Sequence, residues 1–355
     1  MPKQVIFLVH GMGDTSTGWS KPVQELIKSK YSLYRVAKRQ KFNSNFAFKE
    51  INYNHVFEDH IQTWKENSKL LTNKLEASGA DDKVLNSLTS IPNKTARESF
   101  SNTHILDVIL YRFMKGLKSQ VITDISNQIV GKLNESIVSN NLPKYSIVCH
   151  SLGTAVMHDV MQANLTTNQL PLSTAYGIPN TYMTIANVSR VLEDSDTKVY
   201  TSAVRPRLKD RSKLFGCTRF INVRHELDPF TKVRTFKPPW KKGAAKPLNN
   251  LFSDSYEDIR VSGLTGVNPH DLEHYLENPD THVALFRGLS GKRAISAKEH
   301  DAQNQLHQQK TAAGQFNDVR TAVNNIDISD ESSIATALQA WAAFQTFVEG
   351  KLSRI

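Results

Sequence analysis

Ser151 stands where a hydroxyl group can become a nucleophile. The stretch YSIVCHSLGTAV (145–156) predicts a buried apolar strand, a tight turn at Ser151 and a helix that begins at Leu152. Such a strand–turn–helix holds its central residue in a strained backbone conformation and pushes the side chain out of the end of the sheet. The dipole of the helix then favours the negative charge that develops during attack on a carbonyl. The alternative role for this serine is a helix N-cap.

Small residues around Ser151 allow the two arms of the turn to approach each other. In CHSLG, Cys149 and Gly153 occupy the positions two before and two after the serine, where the usual pattern is G-x-S-x-G. Cys149 is compact, so the turn is feasible but fits more tightly than with glycine. We expect His150 to point away from Ser151, because adjacent side chains diverge, and to have a structural role.

A second glycine-containing loop follows the first predicted strand, VIFLV (5–9). Its residues are His10, Gly11, Met12 and Gly13. Glycines there allow backbone N–H groups to face a cavity, so the N–H groups of Met12 and Leu152 can bind an oxyanion together. A phosphate-binding turn is the alternative. However, GMGDTSTG has neither the dinucleotide fingerprint nor the Gly-Lys-Ser/Thr ending of a P-loop.

Four stretches of the chain together resemble the serine lipase/esterase-like branch of the α/β-hydrolase superfamily. HGMGD, CHSLGTAV, NVRHELDPF and NPHDLEHYLENP occur in that family's chain order of oxyanion loop, nucleophile, acid and base. The resemblance covers about residues 1–290. It implies an α/β-hydrolase fold, in which a mostly parallel, doubly wound sheet has helices on both faces, and a helical, lid-like insertion at about 56–140.

The same resemblance implies the roles of an acid and a base. Ser151 matches the nucleophile. Asp228 matches the acid, because it follows a predicted strand and precedes Pro229; it would orient the imidazole of the base and stabilise its charge. For the base, His270 lies in the loop after the last predicted strand, and His274 lies one helical turn later as the alternative. Weaker candidates for the acid are Glu226, Asp254 and Asp258.

The elements that position these residues alternate between strands and helices. Strands are predicted at 5–9, 46–53, 145–149, 181–189, 218–230 and 256–264, and the strand in 218–230 breaks at Asp228-Pro229. Helical patterns separate them, with one face at Val23, Leu26 and Ile27 and a long helix or helix pair at 104–133. This alternation predicts an α/β class with a parallel, doubly wound sheet.

The C-terminal part of the chain has a different character. Residues 291–328 are polar with little apolar periodicity, which predicts a linker, and a final helix follows, capped by Asp330 or Ser332. Its apolar stripe consists of Ile334, Leu338, Trp341, Phe344, Phe347, Val348 and Leu352. The stripe predicts docking on the core, pairing with another chain, or contact with a membrane. We therefore expect a catalytic domain at 1–290 and a linker with a helix at 291–355.

The charge of the chain bears on its partners. The formal net charge is +10, with basic residues concentrated in 35–41, 205–213 and 232–246. No aromatic-interleaved nucleic-acid module or helix-turn-helix accompanies them, so we expect no nucleic-acid partner. A solvated basic face is the simpler interpretation. The alternative is peripheral membrane contact through Trp240 and the neighbouring lysines, because an aromatic ring beside lysines suits a headgroup region.

The cysteines and histidines exclude several classes of site. The two cysteines, Cys149 and Cys217, do not make a disulfide framework, and the expected compartment is the cytoplasm. The twelve histidines include no H-E-x-x-H pattern, so no metal and no cofactor is expected. The sequence therefore predicts a serine hydrolase that cleaves a carboxylic ester of a small molecule or a lipid. The alternatives are an inactive hydrolase fold that binds other proteins, and a membrane-surface phospholipase or thioesterase.

Overall fold

A single parallel sheet of six strands lies at the centre of the part of the chain that the structure describes. The structure is a computed structural model, and it describes residues 2–11, 17–60, 62–63, 111–112, 114–166, 175–192, 198–206, 216–232, 234–238, 240, 255–311, 321 and 344. The strands are β1 (Gln4–Val9), β2 (Phe46–Ile51), β3 (Tyr145–His150), β4 (Thr181–Ile185), β5 (Arg219–His225) and β6 (Tyr256–Val261). Their order across the sheet is β2-β1-β3-β4-β5-β6. All six predicted strands are present, and the predicted ends shift by a few residues.

The helices are placed between and after the strands. They are α1 (Lys21–Ser32), α2 (Val36–Arg39), α3 (Phe42–Asn45), α4 (Lys115–Glu135), α5 (Leu152–Thr166), α6 (Lys198–Thr201), α7 (Pro229–Lys232), α8 (Leu272–Glu277), α9 (Pro279–Ser290) and α10 (Ala297–Lys310). Pro22 stands in the first turn of α1, where proline needs no hydrogen-bond partner. The α1 face consists of Val23, Ile27 and Tyr31, which are buried at a spacing of four residues.

Helices cover both faces of the sheet. The apolar run of β1 divides between two cores, with Val5, Phe7 and Val9 in one and Ile6 and Leu8 in the other. The first core includes α4 and α5, and the second includes α1, α8 and α9. A strand that is buried on both sides needs apolar residues at every position, which explains the continuous run in the sequence.

The strand order creates a switch point between β1 and β3. The chain leaves β1 to form β2 on one side and later returns to form β3 on the other side of β1. In open α/β sheets, ligands bind outside the carboxyl ends of the strands at such a point. His10 and Gly11 follow β1, and Ser151 follows β3. The topology therefore brings the glycine-containing loop and the serine turn to the same place.

Two predicted segments contain helices. Helix α4 lies inside the predicted lid-like insertion, and its residues Leu117, Val121 and Ile125 are buried in the core. Residues 64–110 of that insertion lie outside the described residues, so the lid stays a prediction. Helix α10 lies inside the predicted linker. It begins with a capping box formed by Ser296 and Glu299 and packs on α9 through polar side chains, which explains why its sequence lacks apolar periodicity.

Trp240, through which the sequence predicted peripheral membrane contact, is buried. Its indole is 2 % exposed and packs against the rings of Phe220, Phe236 and Tyr256 at centroid distances of 5.4, 6.0 and 5.5 Å. Membrane contact through Trp240 and the neighbouring lysines stays a prediction. The lysines at 241 and 242 lie outside the described residues. Among the described helices, none combines the length and the apolar character needed to cross a membrane.

Candidate active site

Ser151 occupies the tight turn between β3 and α5. Its φ angle is +52°, in the left-handed region that non-glycine residues rarely adopt. The turn is held by Ser151 N–H, which donates to the carbonyl of Ile185 at 3.0 Å, and by Thr154, whose hydroxyl donates to the carbonyl of Ser151 at 2.6 Å. The strained backbone expected at this serine is therefore present.

Glycines allow the loop after β1 to touch this turn. A Cβ atom added at Gly153 would lie 2.1 Å from the carbonyl oxygen of His10, and one added at Gly11 would lie 2.7 Å from Ser151 Cβ. Neither distance is possible between real atoms, so both positions require glycine. The two segments approach each other without side chains between them.

Cys149 takes the place of the first glycine in the usual pattern. Its side chain is fully buried, and its thiol contacts the carbonyl of Met183 at 3.4 Å. Burial raises the pKa of the Cys149 thiol to about 12, so the sulfur stays protonated and is not a nucleophile. Both Cys149 and Cys217 are free cysteines, as the sequence predicted.

Three side chains from distant parts of the chain form one hydrogen-bonded triad. Ser151 Oγ lies 2.8 Å from His270 Nε2, and His270 Nδ1 lies 2.9 Å from Asp228 Oδ2. Ser151 follows β3, Asp228 follows β5 and His270 follows β6, so all three lie at the carboxyl edge of the sheet. With a proton on Nδ1, His270 donates to Asp228 and accepts from Ser151, which is the tautomer that these partners select.

Asp228 uses its two carboxylate oxygens for different purposes. Oδ1 accepts the backbone N–H of Phe230 at 2.9 Å and so caps the short helix α7, with Pro229 at its first position. Oδ2 accepts from His270 and from the hydroxyl of Tyr275, which lies 2.7 Å away. The Asp-Pro pair thus forms the turn and also supplies the carboxylate that is hydrogen-bonded to His270.

The Asp228 carboxylate is ionised at neutral pH although its side chain is fully buried. Burial alone would raise the pKa of Asp228, but the charge and hydrogen bond of His270 and the two further donors outweigh it and hold the pKa below its usual range. A negative charge in this position stabilises a positive charge on His270.

The ring of His270 is held on several sides. The ring of Phe230 stacks on it at a centroid distance of 3.9 Å. The backbone N–H of His270 donates to Asn268 Oδ1 at 3.0 Å, and its carbonyl accepts from His150 Nε2 at 2.7 Å. His150 therefore contacts the backbone of the His270 loop and not the hydroxyl of Ser151.

The described part of the loop after β1 is fixed by two aromatic side chains. His10 stacks on Tyr53 at 4.1 Å, and its Nδ1–H donates to the carbonyl of Gly11 at 2.8 Å. The Tyr53 hydroxyl lies 3.0 Å from the carbonyls of both His10 and Gly11. Burial lowers the pKa of His10 to about 4, so its ring is neutral at pH 7.

Of the two expected oxyanion donors, Leu152 lies in the described part of the chain and Met12 does not. Leu152 is the first residue of α5, where a backbone N–H has no partner within the helix, and it directly follows Ser151. Met12 and Gly13 lie outside the described residues, so the second donor stays a prediction.

The alternative base and acids are not part of the triad. His274 Nδ1 lies 2.9 Å from the hydroxyl of Thr265, and burial, followed by the charges of nearby histidines, lowers the pKa of His274 to about 3. Asp258 pairs with Arg224 at 3.2 Å. Glu226 lies 3.9 Å from Arg260, and Asp254 lies outside the described residues.

Sequence reasoning did not find two aromatic contacts around the triad. Tyr275 is one of them. The other is the pair of Phe230 and Phe344, whose ring centroids are 6.3 Å apart. Phe344 belongs to the predicted C-terminal stripe and is 1 % exposed, so at this residue the stripe packs on the core. The other residues of that stripe lie outside the described residues.

The side chains of the triad are largely buried in this structure. Ser151 is 1 % exposed and His270 is 9 % exposed. The described residues contain no group of three or more His, Cys, Asp or Glu side chains that could hold a metal ion. The hydrogen bond between Ser151 and His270 has the geometry that proton transfer between the two side chains needs.

Comparison with known proteins adds little to this geometry. No protein-family model and no curated protein matches the chain. Among solved structures, a novel cutinase-like protein from Cryptococcus sp. aligns with 87 % of this chain and 95 % of its own, at 10 % sequence identity and a TM-score of 0.29. A TM-score of this size does not establish a common fold, and nothing about the chemistry of this chain follows from it.

Proposed function

We propose that the protein is a serine hydrolase with an α/β-hydrolase fold, and that it cleaves a carboxylic ester through Ser151, His270 and Asp228. The observation that carries the proposal is the pair of hydrogen bonds, at 2.8 and 2.9 Å, that joins these three side chains. The order of the residues in the chain, serine then aspartate then histidine, is the order found in α/β-hydrolases.

The proposed reaction has two halves. In the first, His270 Nε2 takes the proton of Ser151 as Oγ attacks the ester carbonyl carbon, and the imidazolium then gives that proton to the leaving alkoxide, which departs as an alcohol. In the second, His270 takes a proton from water, whose oxygen attacks the acyl-enzyme, and returns it to Ser151 Oγ as the carboxylic acid leaves. Asp228 remains ionised throughout and stabilises the imidazolium in both halves.

The oxyanion of each tetrahedral intermediate needs hydrogen-bond donors. Leu152 N–H at the start of α5 is one proposed donor, and the helix dipole adds to its effect. Met12 N–H is the second. One donor of this kind contributes about 3 kcal/mol to stabilisation of the transition state.

An apolar ester is the substrate class that the surroundings favour. Phe230 stacks on His270, and Phe344 packs on Phe230, so the described surface beside the base is aromatic. A cytoplasmic location remains a prediction, and two free cysteines are consistent with it.

A fluorophosphonate probe tests the proposal without knowledge of the natural substrate. We expect covalent labelling of Ser151, identified by mass spectrometry of the modified peptide, together with hydrolysis of p-nitrophenyl esters. Ser151→Ala should abolish both while the thermal unfolding temperature stays close to that of the wild type. A folded wild-type protein that is not labelled and does not hydrolyse esters of any chain length would support the alternative, an inactive hydrolase fold that binds other proteins.

A further inference from the structure

Tyr275 makes a buried contact with the acid of the triad. Its side chain is fully buried in α8, and its hydroxyl donates to Asp228 Oδ2 at 2.7 Å. The same hydroxyl accepts the backbone N–H of His225 at 2.8 Å. Tyr275 thus connects the end of β5, which leads to Asp228, with the helix that follows His270.

One short segment brings two donors to the same oxygen. His270 and Tyr275 are five residues apart, and both donate to Asp228 Oδ2, at 2.9 and 2.7 Å. Asp271 lies between them and caps α8 by accepting the N–H of Glu273. Because the cap fixes the start of the helix directly after His270, the spacing between the two donors is fixed by backbone structure.

We propose that Tyr275 is a positioning residue, whose hydroxyl holds the Asp228 carboxylate toward His270 and moderates its strength as a hydrogen-bond acceptor. The inference rests on the proposed function. Without the hydroxyl, Oδ2 keeps only His270 as a partner, while Oδ1 still accepts from Phe230. The carboxylate then has more freedom to rotate and more of its charge directed at the imidazole.

The electrostatics agree with this role. Burial and the neighbouring Asp228 raise the pKa of Tyr275 well above its usual value, so the hydroxyl keeps its proton and always donates. The hydrogen bond from Tyr275 is one of the contacts that lower the pKa of Asp228. Accepting the N–H of His225 polarises the phenol and strengthens its donation.

Other ionisable groups also face the triad from the neighbouring elements. They are His150 at the end of β3, His225 at the end of β5, Lys232 in α7, and Asp271 and His274 at the start of α8. All of them remain when the Tyr275 hydroxyl is removed. A change in pH dependence in that variant is therefore attributable to the hydroxyl.

The variant Tyr275→Phe tests the proposal with the full-length protein. The measurement is the second-order rate constant for fluorophosphonate labelling of Ser151 between pH 5 and 9. We expect a plateau about tenfold lower, as for loss of one hydrogen bond to a charged group. We also expect the midpoint of the acid limb to rise by about 0.5 pH unit or more, because a carboxylate with fewer donors holds the imidazolium proton more strongly.

Tyr34→Phe is the matched control. Tyr34 is 2 % exposed, and its hydroxyl lies 2.7 Å from His282 Nε2, so this variant also loses a buried tyrosine–histidine hydrogen bond. We expect its labelling rate and acid limb to equal those of the wild type. A role of Tyr275 in packing alone would give both variants the same unchanged pH profile, and that result would overturn the proposal.

A second substitution keeps the test decisive if Tyr275→Phe does not fold. 3-Fluorotyrosine at Tyr275 preserves the packing and makes the hydroxyl a stronger donor, so the acid limb should move to lower pH, opposite to the phenylalanine variant. An acid limb that does not move, in a protein whose Ser151 is labelled, contradicts the role of Tyr275 alone. Absence of labelling in the wild type contradicts the proposed function instead.

Discussion

Replacing Asp228 by asparagine should inactivate the triad through the wrong tautomer of His270. Phe230 N–H lies 2.9 Å from Asp228 Oδ1 and cannot change its direction, so the amide oxygen of asparagine must take that place. The reverse orientation would leave that buried N–H without an acceptor, at a cost of about 1–3 kcal/mol, whereas the Tyr275 hydroxyl, which donates to Oδ2 in the wild type, can rotate its O–H and accept from the amide nitrogen. The amide nitrogen therefore takes the place of Oδ2, where His270 Nδ1 lies 2.9 Å away.

An amide nitrogen in that position reverses the direction of the hydrogen bonds in the triad. It donates a hydrogen to Nδ1 of His270, so the imidazole carries its own proton on Nε2 and points it at Ser151 Oγ, 2.8 Å away. Such a ring cannot take the proton of Ser151. We expect kcat for ester hydrolysis to fall about 10⁴-fold, the order of loss when the imidazole of such a triad is held in the wrong tautomer. That loss corresponds to about 5.4 kcal/mol in the activation barrier.

The assay is the rate of p-nitrophenyl ester hydrolysis per mole of folded protein. Asp258→Asn is the matched control, because Asp258 is the alternative acid and its carboxylate pairs with Arg224 at 3.2 Å. We expect this control to retain activity within a few-fold of the wild type. The tautomer argument is refuted if Asp228→Asn stays within about tenfold of the wild type, or if Asp258→Asn loses as much activity.

Three further predictions concern the fold around the site. The free energy of unfolding of Ser151→Gly should exceed that of Ser151→Ala by about 1 kcal/mol, because only glycine relieves the strain of a φ of +52°. Equal urea midpoints for the two variants would mean that the turn is not strained. Gly153→Ala should lower the free energy of unfolding by at least about 2 kcal/mol, since its Cβ would lie 2.1 Å from a carbonyl oxygen, and a wild-type thermal midpoint would contradict this. Burial lowers the pKa values of the neutral His10, His274 and His282 to about 4, 3 and 3. Below pH 6.5 the unfolded chain therefore binds more protons than the folded chain, and the free energy of unfolding decreases as the pH is lowered. Each histidine should contribute a loss of roughly 1.4 kcal/mol between pH 7.5 and 5.5, and an equal urea midpoint at the two pH values would exclude that contribution.

The sequence predicted the triad because each member lies beside a strong local signal. Ser151 follows an apolar strand and precedes small residues, Asp228 precedes a proline after a strand, and His270 follows Asn268-Pro269 after the last strand. Each signal lies within a few residues of the side chain that it marks. The chain order of nucleophile, acid and base in the superfamily that the sequence resembles then relates the three side chains to one another. The strands were predicted for a similar reason, since apolar runs such as 5–9 need no information from distant residues.

The contacts that were not predicted depend on residues far apart in the chain. Trp240 is buried by the rings of Phe220 in β5, Tyr256 in β6 and Phe236. The sequence pattern around Trp240 does not predict these contacts. Helix α10 is stabilised by a cap and by polar contacts, so its sequence lacks the apolar periodicity that predicts a helix. Tyr275 falls on a predicted helix, but only the folded chain brings its hydroxyl to Asp228.

The close approach at Gly11 and Gly153 sets a limit for protein engineering. Saturation mutagenesis at either position would generate variants that cannot accommodate a side chain, so nearly all of that diversity would be lost before any selection for activity. Phe230 is a better position to randomise, because its ring contacts His270 and its backbone N–H donates to Asp228 whatever side chain other than proline it carries. A campaign to alter acyl-group preference would therefore conserve the two glycines and begin at that aromatic side chain.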